Sequence, residues 1–183
     1  MKKVQILDKE FEISIPSATI QKRIDELAKK INHNLENEDV IFLGILNGSF
    51  MFAADLFKKI SIPCRISFLK LASYQGSSSS GQIKQLIGLN ENLKDKTVVI
   101  LEDIVDTGLT IEVIIKQLMG YDPKAIHTAT LLYKPEASVN GVVPDYVGFE
   151  IPNDFVVGYG LDYDGYGRNY EDIYTLVENS ENS

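Results

Sequence analysis

Val98-Val99-Ile100-Leu101-Glu102-Asp103-Ile104-Val105-Asp106-Thr107-Gly108-Leu109-Thr110 decides the reading of this 183-residue chain. Four apolar residues in a row, three of them β-branched, predict a strand buried on both faces. Three carboxylates follow within five positions. Thr-Gly-x-Thr then opens an apolar-periodic run, Ile111 to Met119, that reads as a helix. A short loop from a buried strand into a helix N-terminus is where an α/β protein holds an anion: the first-turn N–H groups lack partners and the helix dipole favours negative charge. Gly108 lets the backbone approach closely, and Thr107 and Thr110 add hydroxyl donors. Thr107, Gly108, Leu109 and Thr110 therefore read as a phosphate cradle.

Carboxylates would repel a bare phosphate. Glu102 and Asp103 make sense if they face hydroxyl groups, from which they accept hydrogen bonds, or a divalent cation. Asp106 is then placed to act as a base. A ligand with a phosphate, a diol and bound Mg²⁺ satisfies all three demands: a ribose 5-phosphate carrying a leaving group.

The rest of the chain bounds this reading. Its length suits one domain with a sizeable core; 44% hydrophobic and 24% charged residues are ordinary globular values. A formal net charge of -8 argues against a nucleic-acid partner. The single cysteine, Cys64, excludes an internal disulfide and fits a reducing cytoplasm. No stretch approaches a membrane span, and the N-terminal residues lack a signal-peptide core.

Working outward, Val4–Leu7 and Phe11–Ile15 predict a hairpin or two edge strands. Ser17 is offered as the N-cap of an amphipathic helix to about Leu35, with Ile20, Ile24, Leu27, Ala28, Ile31 and Leu35 on one face. Val40–Leu46 is a second buried strand, running through Asn47-Gly48-Ser49 into a helix from Phe50 to about Ile60; this is a second loop able to bind phosphate. Arg65–Leu71 is a third strand. The Ser-rich stretch after it reads as a lid over about residues 73–82, within the domain. Ile83–Ile87 and Ala125–Tyr133 are further strands, the latter ending at Lys134. Strands alternating with helices imply a mostly parallel sheet with the site at the strand C-terminal ends. The last third has short Gly- and aromatic-rich strand runs. With residues 1–16, residues 147–177 are expected to form a small hood over the sheet edge.

The stretch 98–110 closely resembles the 5-phosphoribosyl 1-pyrophosphate (PRPP) signature of type I phosphoribosyltransferases, and Leu46-Asn47-Gly48-Ser49 resembles their pyrophosphate loop. The tail narrows the resemblance. Phe149-Glu150-Ile151-Pro152, Phe155-Val156-Val157-Gly158-Tyr159, Leu161-Asp162-Tyr163, Tyr166 and Arg168-Asn169 are similar to the hypoxanthine-guanine phosphoribosyltransferase family, as is Leu132-Tyr133-Lys134.

That resemblance implies a purine salvage enzyme on a type I phosphoribosyltransferase fold. It would join a purine base to PRPP, giving a nucleoside monophosphate and pyrophosphate, as a homodimer or homotetramer in the cytoplasm. It implies that Glu102 and Asp103 hold the ribose hydroxyls, that Asp106 faces purine N7 as general base, and that residues 107–110 hold the 5-phosphate. Asn47, Gly48 and Arg168 would hold pyrophosphate, with Gly48 and Ser49 supplying backbone donors; Asp162, with Glu102 and Asp103, would help ligate Mg²⁺. Phe155 would stack on the base, Lys134 would donate to its six-position oxygen, and backbone groups of Val156 and Asp162 would read the two-position. Ser73-Tyr74 match the family's lid pair. Relatives usually carry Lys or Arg where Asn47 stands, often after a cis peptide. A regulator on the same fold that binds RNA, or a PRPP enzyme for another base, are the alternatives.

Overall fold

The computed structural model describes residues 2–73, 83–87, 89–139 and 141–177. The lid expectation falls outside the described residues, apart from the backbone of Ser73, which closes a strand.

Buried apolar runs build one large sheet. Its strands are β3 (Val40–Leu46), β4 (Cys64–Ser73), β5 (Ile83–Ile87), β6 (Thr97–Val105), β7 (Ala125–Tyr133) and β8 (Tyr146–Glu150), in the spatial order β5-β4-β3-β6-β7-β8. Every pairing is parallel except β4 with the edge strand β5. Alternation explains how β6 is buried twice over. Val99 and Leu101 join the core under helices α1 (Ser17–Asn34) and α2 (Phe50–Phe57), while Val98 and Ile100 face α3 (Leu109–Met119). The core therefore has two layers, one on each side of the sheet.

The chain order creates the crevice. From β3 the sheet grows toward β4 on one side; from β6 it grows toward β7 on the other. The loops leaving β3 and β6 thus diverge at neighbouring strand ends, the switch point where open α/β sheets bind ligands.

A second sheet joins β1 (Lys3–Ile6), β2 (Lys9–Ile15), β10 (Ile173–Leu176) and β9 (Val156–Val157), in the order β1-β2-β10-β9. It differs from the expected hood. Residues 147–150 lie in β8, parallel to β7, in the large sheet, where Arg23 of α1 donates to the Gly148 and Val147 carbonyls at 2.6 and 3.0 Å. The run from Phe155 to Tyr163 is extended only at β9. Gly158, Tyr159 and Gly160 then take left-handed backbone angles (φ 95°, 50° and 100°), which turn the chain out of strand geometry.

Two helix ends also differ. Ser17 makes no side-chain cap. Its N–H donates instead to Asp172 Oδ1 at 2.8 Å, so the cap comes from the far end of the chain. Helix α2 stops at Phe57, short of Ile60, in a tighter turn where Lys59 and Ile60 N–H groups reach back three residues.

Candidate active site

The loop after β6 opens α3. Gly108, at φ 81°, precedes its first turn, and a Cβ there would meet Val142 at 3.0 Å. Leu109 N donates to Thr107 Oγ1 at 3.4 Å. Thr107, Leu109 and Thr110 are exposed at this N-terminus, as a cradle for an external anion requires.

Beside it, a cavity of about 370 Å³ is lined by Ile45, Leu46, Asn47, Gly48, Leu71, Glu102, Asp103, Ile104 and Thr110. Both strand–glycine loops therefore open into one space. The Leu46–Asn47 peptide is cis. Gly48 is required sterically: a Cβ would stand 1.6 Å from Asp103 Oδ2. Ser49 does not serve as a donor to the cavity. It is fully buried; its Oγ donates to Ile45 O at 2.6 Å and its N–H to the same carbonyl at 3.3 Å. The loop's backbone donors thus narrow to those before Ser49.

Glu102 is 6% exposed. Burial, then the neighbouring Asp103 charge, pushes its carboxyl well above the usual range. Burial also raises Asp103, partly offset by the Ile104 N–H at 2.9 Å and the Arg168 guanidinium. Asp162 adds to the rise at Asp103 as Asp103 does at Glu102, and acids crowded in this way favour a hydroxyl-bearing or dicationic ligand. Among the described residues no group of three His, Cys, Asp or Glu side chains could hold a metal unaided. Glu102, Asp103 and Asp162 are therefore not a closed cage. Hard oxygen donors in ones and twos still fit Mg²⁺, which keeps waters and takes phosphate oxygens from its substrate.

Asp162 and Arg168 approach from the C-terminal segment. Arg168 Nη2 pairs with Asp162 Oδ1 at 2.6 Å, and Nη1 donates to Gly160 O at 2.7 Å. Gly165 N donates to Asp162 Oδ2 at 2.7 Å. A Cβ on Gly160 would lie 2.1 Å from Gly48 O, so this turn rests directly on the loop after β3.

At the end of β7, Lys134 is 7% exposed. Its Nζ donates to Asp106 Oδ2 at 3.2 Å and lies 3.5 Å from Asn153 Oδ1. Asp106 itself is half exposed. Phe155 offers an exposed ring, supported edge-on by Tyr163 and at a tilt by Phe11. Val156 is buried in β9. Sequence reasoning missed Asn153, Asp55, the support of Phe155 by Phe11, and the caging of Asp103 by Gly48. No periodicity or spacing marks these contacts, which exist only between distant segments.

Comparison with known proteins fits this architecture. Residues 16–164 match the model of the phosphoribosyl transferase domain. The chain is 39% identical over 171 residues to hypoxanthine-guanine phosphoribosyltransferase of Mycobacterium avium, covering 90% of this chain and 84% of that one. The chain belongs to the hypoxanthine-guanine phosphoribosyltransferase family. The Aquifex aeolicus relative of that name is 37% identical, with 95% and 99% of the two chains covered. The crystal structure of a hypoxanthine-guanine phosphoribosyltransferase from Bacillus anthracis superposes with a TM-score of 0.86 at 36% identity, covering 91% of this chain and 98% of that one. The parallel sheet with flanking helices is thus the type I phosphoribosyltransferase fold, and the chain is an enzyme of purine salvage. No described helix is long and apolar enough to cross a membrane.

Proposed function

We propose that this enzyme transfers the phosphoribosyl group of PRPP to hypoxanthine or guanine. Purine N9 forms the bond to the ribose anomeric carbon, the bond to pyrophosphate breaks, and Asp106 takes the proton from N7. The observation that carries this reading is the Lys134–Asp106 pair, 3.2 Å apart at adjacent strand ends. A six-oxopurine presents an acceptor oxygen and a ring N–H side by side, and a buried ammonium beside a carboxylate complements that edge. Adenine offers an amino group where Lys134 needs an acceptor, so the same pair selects against it.

The other residues divide the remaining substrate. The exposed N-terminus of α3, with Thr107, Gly108, Leu109 and Thr110, suits the 5-phosphate. Glu102 and Asp103 suit the ribose diol. Asn47, Gly48 and Arg168 suit pyrophosphate, and Phe155 with the backbone of Val156 and Asp162 suits the base. The small sheet would act as the hood that presents Phe155. Glu102, Asp103 and Asp162 would hold Mg²⁺ together with the pyrophosphate oxygens; Mg²⁺ supplies neutralisation of the leaving group's charge. Catalysis by this chain is then chiefly positioning, with negative side chains near the ribose where positive charge develops.

The test is product formation from PRPP with hypoxanthine, guanine, xanthine, adenine, uracil and orotate in parallel. Turnover of six-oxopurines alone supports the reading. Turnover of adenine or a pyrimidine in preference overturns it.

A further inference from the structure

Tyr159 stands where no substrate reaches it. It is 2% exposed, yet its hydroxyl is fully engaged: it donates to Asp55 Oδ2 at 2.5 Å and accepts from Gln21 Nε2 at 3.3 Å. Gln21 also donates to the same Asp55 oxygen at 2.7 Å, and Lys58 pairs with the other oxygen at 2.6 Å. Burial, reinforced by Asp55, pushes the phenol upward, so it remains a protonated donor. The side chain reaches this network from a left-handed backbone position between two left-handed glycines, a conformation disfavoured for a residue with a Cβ.

What the network joins is specific. Asp55 lies on α2, the helix that begins directly after the Asn47–Gly48 loop. Tyr159 lies in the turn whose next residue, Gly160, rests on Gly48 O and accepts from Arg168. The Gly160 N–H donates back to Arg168 O at 3.0 Å. Loop and turn are far apart in the sequence, meet at the Gly48 carbonyl, and bring the Asp162 and Arg168 charges to bear on Asp103 at the cavity. We infer that Tyr159, through its hydroxyl bond to Asp55, is a positioning residue that holds the Asp162–Arg168 turn against the Gly48 loop and so sets the pyrophosphate end of the site. This rests on the assignment of pyrophosphate to that loop and turn.

Tyr159→Phe keeps the ring and removes the hydroxyl, with its bond to Asp55 and the one it accepts from Gln21. The experiment compares Tyr159→Phe, Asp55→Ala and the double variant with the parent enzyme, using Arg168→Gln as reference. It reads KM for PRPP, inhibition by pyrophosphate, KM for hypoxanthine and Tm. Tyr159→Phe should weaken PRPP and pyrophosphate roughly five- to tenfold, leaving KM for hypoxanthine within about twofold. The double variant should be no worse than the poorer single one, because both remove one link. Asp55→Ala carries the test alone if Tyr159→Phe fails to fold, since the Asp55 side chain is partly exposed. Equal changes for both substrates, or a fall in Tm with unchanged pyrophosphate inhibition, overturn the inference. If Arg168→Gln leaves pyrophosphate inhibition unchanged, the site assignment falls and this inference with it.

Discussion

Asp106 and Lys134 lie next to each other, and the proposed reaction gives them different tasks. Asp106→Asn retains shape and loses the proton acceptor. General-base help is worth about 10²–10⁴-fold, so turnover should fall by that much while PRPP binding persists; single-turnover rates with hypoxanthine check it. Lys134→Gln removes the buried cation. Base affinity should fall by about 1.5–3 kcal/mol, the scale of a hydrogen bond from a charged donor, with PRPP binding little changed. Unchanged Michaelis constants for hypoxanthine and guanine would remove Lys134 from recognition. Gly48→Ala is a steric test of the other end. With Asp103 Oδ2 only 1.6 Å from the added Cβ position, the carboxylate must move. KM for PRPP should rise more than KM for the base, and equal rises would place Gly48 outside the pyrophosphate end.

Among the elements, α1 depends on a residue 155 positions away. Asp172 accepts from Ser17 N, from Lys2 Nζ at 2.8 Å and from Tyr174 OH at 3.1 Å. The Lys2 bond, opposed by burial and aided by the Ser17 N–H, holds its carboxyl below the usual range. A carboxyl with a depressed folded-state pKa stabilises fully above the unfolded value, about 3.9 for Asp, and loses that contribution as pH falls through the folded one. Asp172→Ala should therefore cost about 1–3 kcal/mol near pH 7, leaving a buried hydroxyl and a helix N–H unpaired, and the difference from the parent should shrink below about pH 4. Urea titrations at pH 7 and pH 3.5 measure it; a difference independent of pH would refute the charge-based cap.

The same element scale shows what was legible beforehand. β3 and β6 are buried on both faces, and the apolar runs Val40–Leu46 and Val98–Leu101 say so without knowledge of any partner. The loops after β3 and β6 carry their own chemistry in Gly48, Gly108 and Thr107. The fold class followed from those residues, and so did the place where the two loops open into one cavity. β8 was different. Tyr146–Glu150 has the same short aromatic composition as the hood strands, and only its parallel pairing with β7 decides its sheet. Ser49 was expected to offer its backbone N–H beside that of Gly48, but both its N–H and its hydroxyl turn back to the Ile45 carbonyl. The Ser17 cap was invisible because its acceptor is Asp172.

At the scale of the molecule, the two sheets share a core. Val156, Tyr159, Leu161 and Ile173 from the C-terminal segment pack in the cluster that holds Ile20, Ile24, Phe52 and Leu101. The hood should therefore not melt by itself. Ile173→Ala, at a fully buried position, should cost about 2–5 kcal/mol and lower a single transition seen alike by far-UV circular dichroism and by loss of PRPP turnover. An early, separate transition in activity would show that the small sheet unfolds independently.

The small sheet also has a consequence for how the molecule is made. β1 and β2 leave the ribosome well before β10, whose residues 173–176 pair with β2. Translation at about 5–20 residues per second leaves that hairpin waiting roughly 8–30 s without its neighbour. During that interval the nascent polypeptide can assemble β3, β4, β6 and β7, whose partners lie closer in sequence, but not the wall bearing Arg168 and Phe155. The face that bears Phe155 is thus assembled only once residues 173–176 have emerged to join β2 and β9, after the central strands of the large sheet.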